Sequence, residues 1–178
     1  MSHPLAAIVL LILMALPPLS AQHHADLTPA EVDQLRDTAM EPERRLKSYL
    51  QFARERLAKL DQVRADPKLS AEERGKATHD RLADFLDLYD ELNDNIDTYI
   101  DRKNDIRRSL HAVIEADGEF ERRLKALEDS ALAAKEDIRS YEFVLTSALD
   151  TLSDSLTDHR QLLEEQEEAA KHKQIKKP

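Results

Sequence analysis

Cysteine is absent from the 178 residues, and glycine occurs only twice. The first absence excludes disulfides, thiolate metal sites, a cysteine nucleophile and a lipid-modified N-terminal cysteine. The second excludes a phosphate-cradling P-loop and a dinucleotide-binding fingerprint, since both need several glycines in a short stretch. Aromatic residues make up 4% of the chain and charged residues 35%. So little glycine, with abundant Ala, Leu, Glu, Lys and Arg, suits long helices and fits a β-sandwich or an α/β enzyme poorly. The length is enough for one domain and not comfortably for two.

Charge narrows the partners. The formal net charge is −10, and residues 1–21 contain no Asp, Glu, Lys or Arg, so everything after them carries it. A broadly acidic body repels phosphate backbones, so nucleic-acid binding by the domain as a whole is not expected.

Residues 5–16 are uninterruptedly apolar, and Pro17-Pro18 and Leu19-Ser20-Ala21 follow. A short apolar core, a helix-breaking proline pair and small residues before a polar segment describe a cleavable secretory signal, with cleavage after Ala21. The run falls short of the roughly 20 apolar residues that a spanning helix needs. Met1-Ser2-His3 lacks the usual Lys or Arg, so an uncleaved N-terminal anchor is the competing reading. The expected organisation is a signal over 1–21, a disordered leader over 22–27, a helical domain over 28–172 and a basic disordered tail over 173–178. Such a protein is periplasmic or secreted, in a bacterial cell envelope, and keeps no stable membrane span after cleavage.

Thr28-Pro29-Ala30-Glu31 reads as a helix start, with Thr as N-cap, Pro in the first turn and Glu closing a capping box. That helix runs to about Met40, restarts at Pro42 and ends at Asp66-Pro67. Ser70-Ala71-Glu72-Glu73 is a second capping box. Beyond it a heptad places Leu82, Tyr89, Ile96, Lys103 and Leu110 at one seam position. Phe85, Leu92, Tyr99, Ile106 and Val113 take the other. Leu86, Ile100 and Ile114 widen the stripe, which suits a helix packed against more than one neighbour. The phase continues through Asp117-Gly118 to Phe120, Leu124, Leu127, Ala131, Ala134, Ile138, Tyr141 and Leu145, then shifts to Leu149, Leu152 and Leu156.

Asp117-Gly118 decides the architecture. Read as a turn, it yields an antiparallel three-helix bundle over roughly 29–65, 71–116 and 118–172. Read as a tolerated glycine, it leaves one helix over 71–172, about 150 Å long. That alternative is a helical hairpin with a very long coiled-coil helix, and burying its seam requires a dimer. The turn is the preferred reading.

Chemistry-bearing residues are few. Asp80, Asp84, Asp87, Asp90, Asp94, Asp97, Asp101 and Asp105 form a file, but the heptad puts them away from the seam, as a solvated face, with an acidic docking surface for a basic partner as the lesser reading. No Glu precedes a His by three residues and there is no HExxH, so no helix-borne metal centre is expected. His159 falls near the drifting seam, as a satisfied interface histidine. One metal hypothesis depends on processing: cleavage after Ala21 would leave Gln22-His23-His24 at the N-terminus. An α-amine, two amides and the His24 imidazole can hold Cu(II) or Ni(II) in a square plane, unless Gln22 cyclises and removes the amine. Lys103 either sets the register as a polar seam residue or, the commoner case, reaches out of the seam along its own stem. Lys171, His172, Lys173, Lys176 and Lys177 could make weak contact with an anionic surface. No nucleophile–base arrangement or paired-carboxylate site can be assembled, so no catalytic residue and no cofactor is assigned.

Leu27-Thr28-Pro29-Ala30-Glu31, with Leu35 following, resembles the Leu-Thr-Pro-x-Gln helix starts of small periplasmic helical chaperone and stress-sensor proteins, with Glu31 in place of Gln. That resemblance implies a periplasmic stress-responsive chaperone-like or metal-binding module as the alternative function. The residues themselves favour a non-enzymatic scaffold or adaptor acting on a protein partner or on further copies of itself.

Overall fold

The computed structural model describes residues 26–175, and they fold into five helices: α1 (Pro29–Asp37), α2 (Pro42–Ala65), α3 (Ala71–Asp101), α4 (Arg107–Ala133) and α5 (Glu142–Ile175). Among the described residues there is no strand, and no helix is long and apolar enough to cross a membrane. The signal segment 1–21 and leader residues 22–25 lie outside them. Both capping boxes form. Thr28 accepts the Glu31 N–H at 3.3 Å and donates its own N–H to the Glu31 carboxylate at 2.7 Å. Ser70 and Glu73 repeat the exchange at the start of α3, at 3.3 and 2.9 Å. Each box satisfies two of the donors that a helix start leaves open.

Neither expected architecture holds. The structure places Asp117 and Gly118 inside α4, so 117–118 is not a turn, and the helices expected over 71–116 and 118–172 do not exist as such. The single helix over 71–172 is overturned as well, because α3 stops at Asp101 and α4 at Ala133. Both stops use a lysine in the left-handed region, Lys103 at φ 59° and Lys135 at φ 52°. The Lys103 and Asn104 N–H groups turn back to the Ile100 and Tyr99 carbonyls at 2.8 and 2.9 Å. Those of Lys135 and Glu136 turn back to Leu132 and Ala131, both at 3.0 Å. This is the closure that glycine usually makes at a helix end, and here lysine makes it.

The two stops share one sequence, Lys-x-Asp-Ile-Arg, at 103–107 and again at 135–139. In each, the Asp carboxylate accepts the backbone N–H two residues on, at 3.3 Å, and holds the Arg guanidinium through two nitrogens. Ile106 is buried and Ile138 packs on the core. Both isoleucines fall on the heptad seam. The seam therefore runs in phase through two turns.

The four long helices pack in a bundle-like square: α2 beside α3, α3 beside α5, α5 beside α4, and α4 beside α2, with α1 laid on α2. Arg45–Asn95, Tyr49–Glu91 and Arg56–Asp84 step in opposite directions along α2 and α3, so these helices are antiparallel. Gln166–Ile106 and His159–Asp117 show the same for α5 and α4. The four long helices thus form two helical hairpins, α2–α3 and α4–α5, packed side by side. The seam residues of α3 and the start of α4 are buried as expected, except Lys103, which sits exposed in its turn. Most of the aspartate file is likewise on the surface, and half-buried Asp84 is engaged by Arg56.

Candidate functional site: a buried polar network

Phe85, Tyr89 and Phe120 form an aromatic cluster between α3 and α4, with the Phe85 and Phe120 rings 5.5 Å apart and edge-on. Buried tyrosines need a partner for their hydroxyl. The Tyr89 hydroxyl donates to Asp117 Oδ1 at 2.7 Å. The other carboxylate oxygen, Oδ2, lies 2.9 Å from His159 Nδ1 on α5. With a carboxylate as acceptor, Nδ1 must carry the proton. Tyr89 and Asp117 are fully buried and His159 is 3% exposed. Next to them Asn93 Nδ2 donates to Ser155 Oγ at 3.0 Å, a second polar link between α3 and α5.

The electrostatics follow from burial. Removing Tyr89 from water pushes its phenol above its usual range, and the neighbouring Asp117 charge pushes it further, so the hydroxyl stays neutral and keeps donating. A buried carboxylate is tolerated only when its oxygens are bonded, and both oxygens of Asp117 are. The arrangement resembles the base-orienting half of a catalytic dyad. Its chemistry is directed inward, however, toward helices rather than toward a cleft.

Two further ionic clusters tie α2 to its neighbours. Arg56, buried in α2, binds Glu31 through two nitrogens at 2.5 and 3.0 Å, Asp84 at 3.0 Å and the Asp26 carbonyl at 3.3 Å. Burial alone would raise the Glu31 carboxyl. The Arg56 and Thr28 hydrogen bonds outweigh it and hold the pKa at about 2. At the C-terminus of α2, Arg64 grips Glu136 through two 2.6 Å bonds, and Tyr141 donates to the same carboxylate. The Arg64 hydrogen bonds keep Glu136 below the usual carboxylate range.

Of the candidates read from sequence, Gln22, His23 and His24 lie outside the described residues. Among the described residues, no group of three His, Asp or Glu side chains could hold a metal ion. Lys171 pairs with Glu168 one turn back in α5, at 2.7 Å, while the side chains of Lys173, Lys176 and Lys177 are outside the described set. Helix α5 itself continues to Ile175, three residues into the expected tail. His159 is buried on the seam as expected; its partner Asp117 was not read from the sequence. The signal was present: Tyr89, Asp117 and His159 are polar residues at or near seam positions, and a buried polar group must find another.

The surface has its own exceptions. Phe143 is 87% and Leu132 63% exposed, and they flank the 134–141 connection on adjacent helices. Because α4 and α5 are antiparallel, these two side chains reach the same end of the hairpin.

The chain matches no protein-family model, no curated protein and no solved structure.

Proposed function

We propose that this chain is a non-enzymatic adaptor or scaffold of a bacterial cell envelope, working through protein–protein contacts. The observation that carries this reading is the exposure of Phe143 and Leu132 at one end of the α4–α5 hairpin, on a chain that is 35% charged. Apolar side chains exposed singly are ordinary, and it is their gathering at one place, here one end of a hairpin, that marks a contact site. Support comes also from the interior, where the groups capable of acid–base chemistry bind one another across helices. Export rests on the apolar run of residues 5–16 and the small residues ending at Ala21.

A photo-crosslinking amino acid at position 143, activated in cells that make the protein, tests the reading. We expect a discrete adduct with another protein in the envelope fraction, lost when Leu132 is changed to Ser. Irradiation that yields only the free chain, or adducts indifferent to Leu132→Ser, would overturn it. N-terminal sequencing of the recovered chain reports cleavage: Gln22 as first residue supports export, and a retained Met1 opposes cleavage.

A further inference from the structure

We propose that the chain exchanges its α4–α5 hairpin with a second copy of itself, by straightening residues 102–106 into helix. The inference does not depend on the adaptor reading, since it concerns the turn and the two hairpins alone. Its starting point is the turn between α3 and α4. Lys103 occupies the left-handed region at φ 59°, which glycine and asparagine tolerate far better, although an asparagine, Asn104, is the next residue. No glycine or proline interrupts residues 101–107. The heptad runs in phase through the turn, from Tyr99 to Ile106 and from Ile96 to Leu110 by way of Lys103. Continued as helix, the segment keeps one apolar stripe over 71–133, and the left-handed residue disappears.

The packing allows what the turn invites. Contacts between the hairpins run from α2 to α4 and from α3 to α5 and cross the core from α3 to α4. Of the pairs across the core, Tyr89 and Asp117 are equally spaced about residue 103, and Phe85 with Phe120 is symmetric to within one residue. Two straightened chains crossing antiparallel at Lys103 therefore make the same pairs, each from two copies. In that dimer Tyr89 of one copy meets Asp117 and His159 of the partner subunit, so the buried network is shared. The later turn is a poorer hinge. Arg64 holds Glu136 there, and Ser140 Oγ would stand 2.6 Å from a Cβ at Gly75, so opening it separates the turn from α2 and α3. The 102–106 turn is tied to α5 by Gln166, which accepts the Ile106 N–H at 3.0 Å and donates to the Asn104 carbonyl at 2.9 Å.

The test uses Asp61 and Arg123, which pair at the surface between α2 and α4. The doubly substituted chain, Asp61→Cys and Arg123→Cys, is refolded at high and low protein concentration and treated with a short bismaleimide. Exchange predicts a fraction at twice the monomer mass that rises with concentration and is joined between copies by the crosslink under denaturing conditions. Lys103→Gly, which removes the left-handed cost, lowers that fraction by about tenfold or more, and Lys103→Ile raises it. Gln166→Ala raises it as well, and serves if Lys103→Ile fails to fold. A wild-type turn that leaves only monomer at every concentration overturns the proposal. So does a dimer whose crosslinks stay within each chain.

Discussion

His159 Nδ1 lies 2.9 Å from the carboxylate of Asp117, and neither side chain reaches water to any useful extent. Two groups that are costly to bury one at a time are buried together, and the Tyr89 hydroxyl completes the set. The network spans α3, α4 and α5, and its geometry sets their register as well as their contact.

Replacing Asp117 with Ala strands both Tyr89 Oη and His159 Nδ1 inside the core. We expect a loss of about 3 kcal/mol in urea unfolding, on the ordinary cost of unpaired buried groups. Asp117→Asn retains an acceptor for the tyrosine and a polar partner for the imidazole, so it loses clearly less. Equal losses for the two variants would show that shape rather than hydrogen bonding matters at this position.

Acid loosens the α1 clamp. Glu31 has a folded pKa of about 2 against an ordinary value of 4.5. A carboxylate with a depressed folded pKa contributes stability that is present above 4.5 and lost as pH falls toward 2. The size is about 3 kcal/mol, read as protection of α1 amides from hydrogen exchange. Glu31→Gln removes that pH dependence and leaves α1 weakly protected throughout. An unchanged acid profile in this variant would locate the sensitivity elsewhere.

Alkali acts on the tyrosines. All four are raised by burial. An acid whose folded pKa is raised favours the folded state only while it is neutral, so stability is lost above the ordinary tyrosine value of about 10. Each tyrosine that still resists ionisation contributes a slope of about 1.4 kcal/mol per pH unit. Tyr89→Phe lowers stability at neutral pH, because Asp117 loses a donor, and reduces the alkaline slope. A Tyr89→Phe protein with the full alkaline slope would contradict the buried, neutral phenol.

The two glycines answer in opposite directions. At Gly118, inside α4, an added Cβ meets only the Arg122 Nη1 at 3.3 Å, the movable end of a long side chain. Gly118→Ala should therefore stabilise by up to about 1 kcal/mol, the helix-propensity difference. At Gly75 the Cβ would stand 2.6 Å from Ser140 Oγ, so Gly75→Ala destabilises. Adding Ser140→Ala restores much of the loss. Thermal unfolding of the four proteins decides it, and a destabilising Gly118→Ala would indicate a close approach at that position.

The helical class, the two capping boxes and the buried seam were legible because each rests on local spacing: Thr28 with Glu31, Ser70 with Glu73, and Leu82 to Val113 at heptad intervals. The helix ends at Asp101 and Ala133 were not. Helix ends are usually sought at glycine, and here lysine adopts the glycine conformation. Ile106 and Ile138 also keep the seam in phase, so periodicity carries no mark of either turn. What did mark them was repetition, Lys-x-Asp-Ile-Arg twice in one chain. Asp117-Gly118 misled for the opposite reason. Its local chemistry is that of a turn, but Tyr89 and His159, distant in sequence, supply the partners that let it remain helical. The buried network was half legible, as a seam histidine without its aspartate.

A double-mutant cycle between Tyr89→Phe and His159→Leu, read by equilibrium unfolding, tests most directly whether this polar chemistry holds the fold together. The two side chains meet through the carboxylate of Asp117. If that shared carboxylate binds α3, α4 and α5 as one unit, the effects couple by at least about 0.5 kcal/mol. Additivity to within about 0.3 kcal/mol would contradict the account.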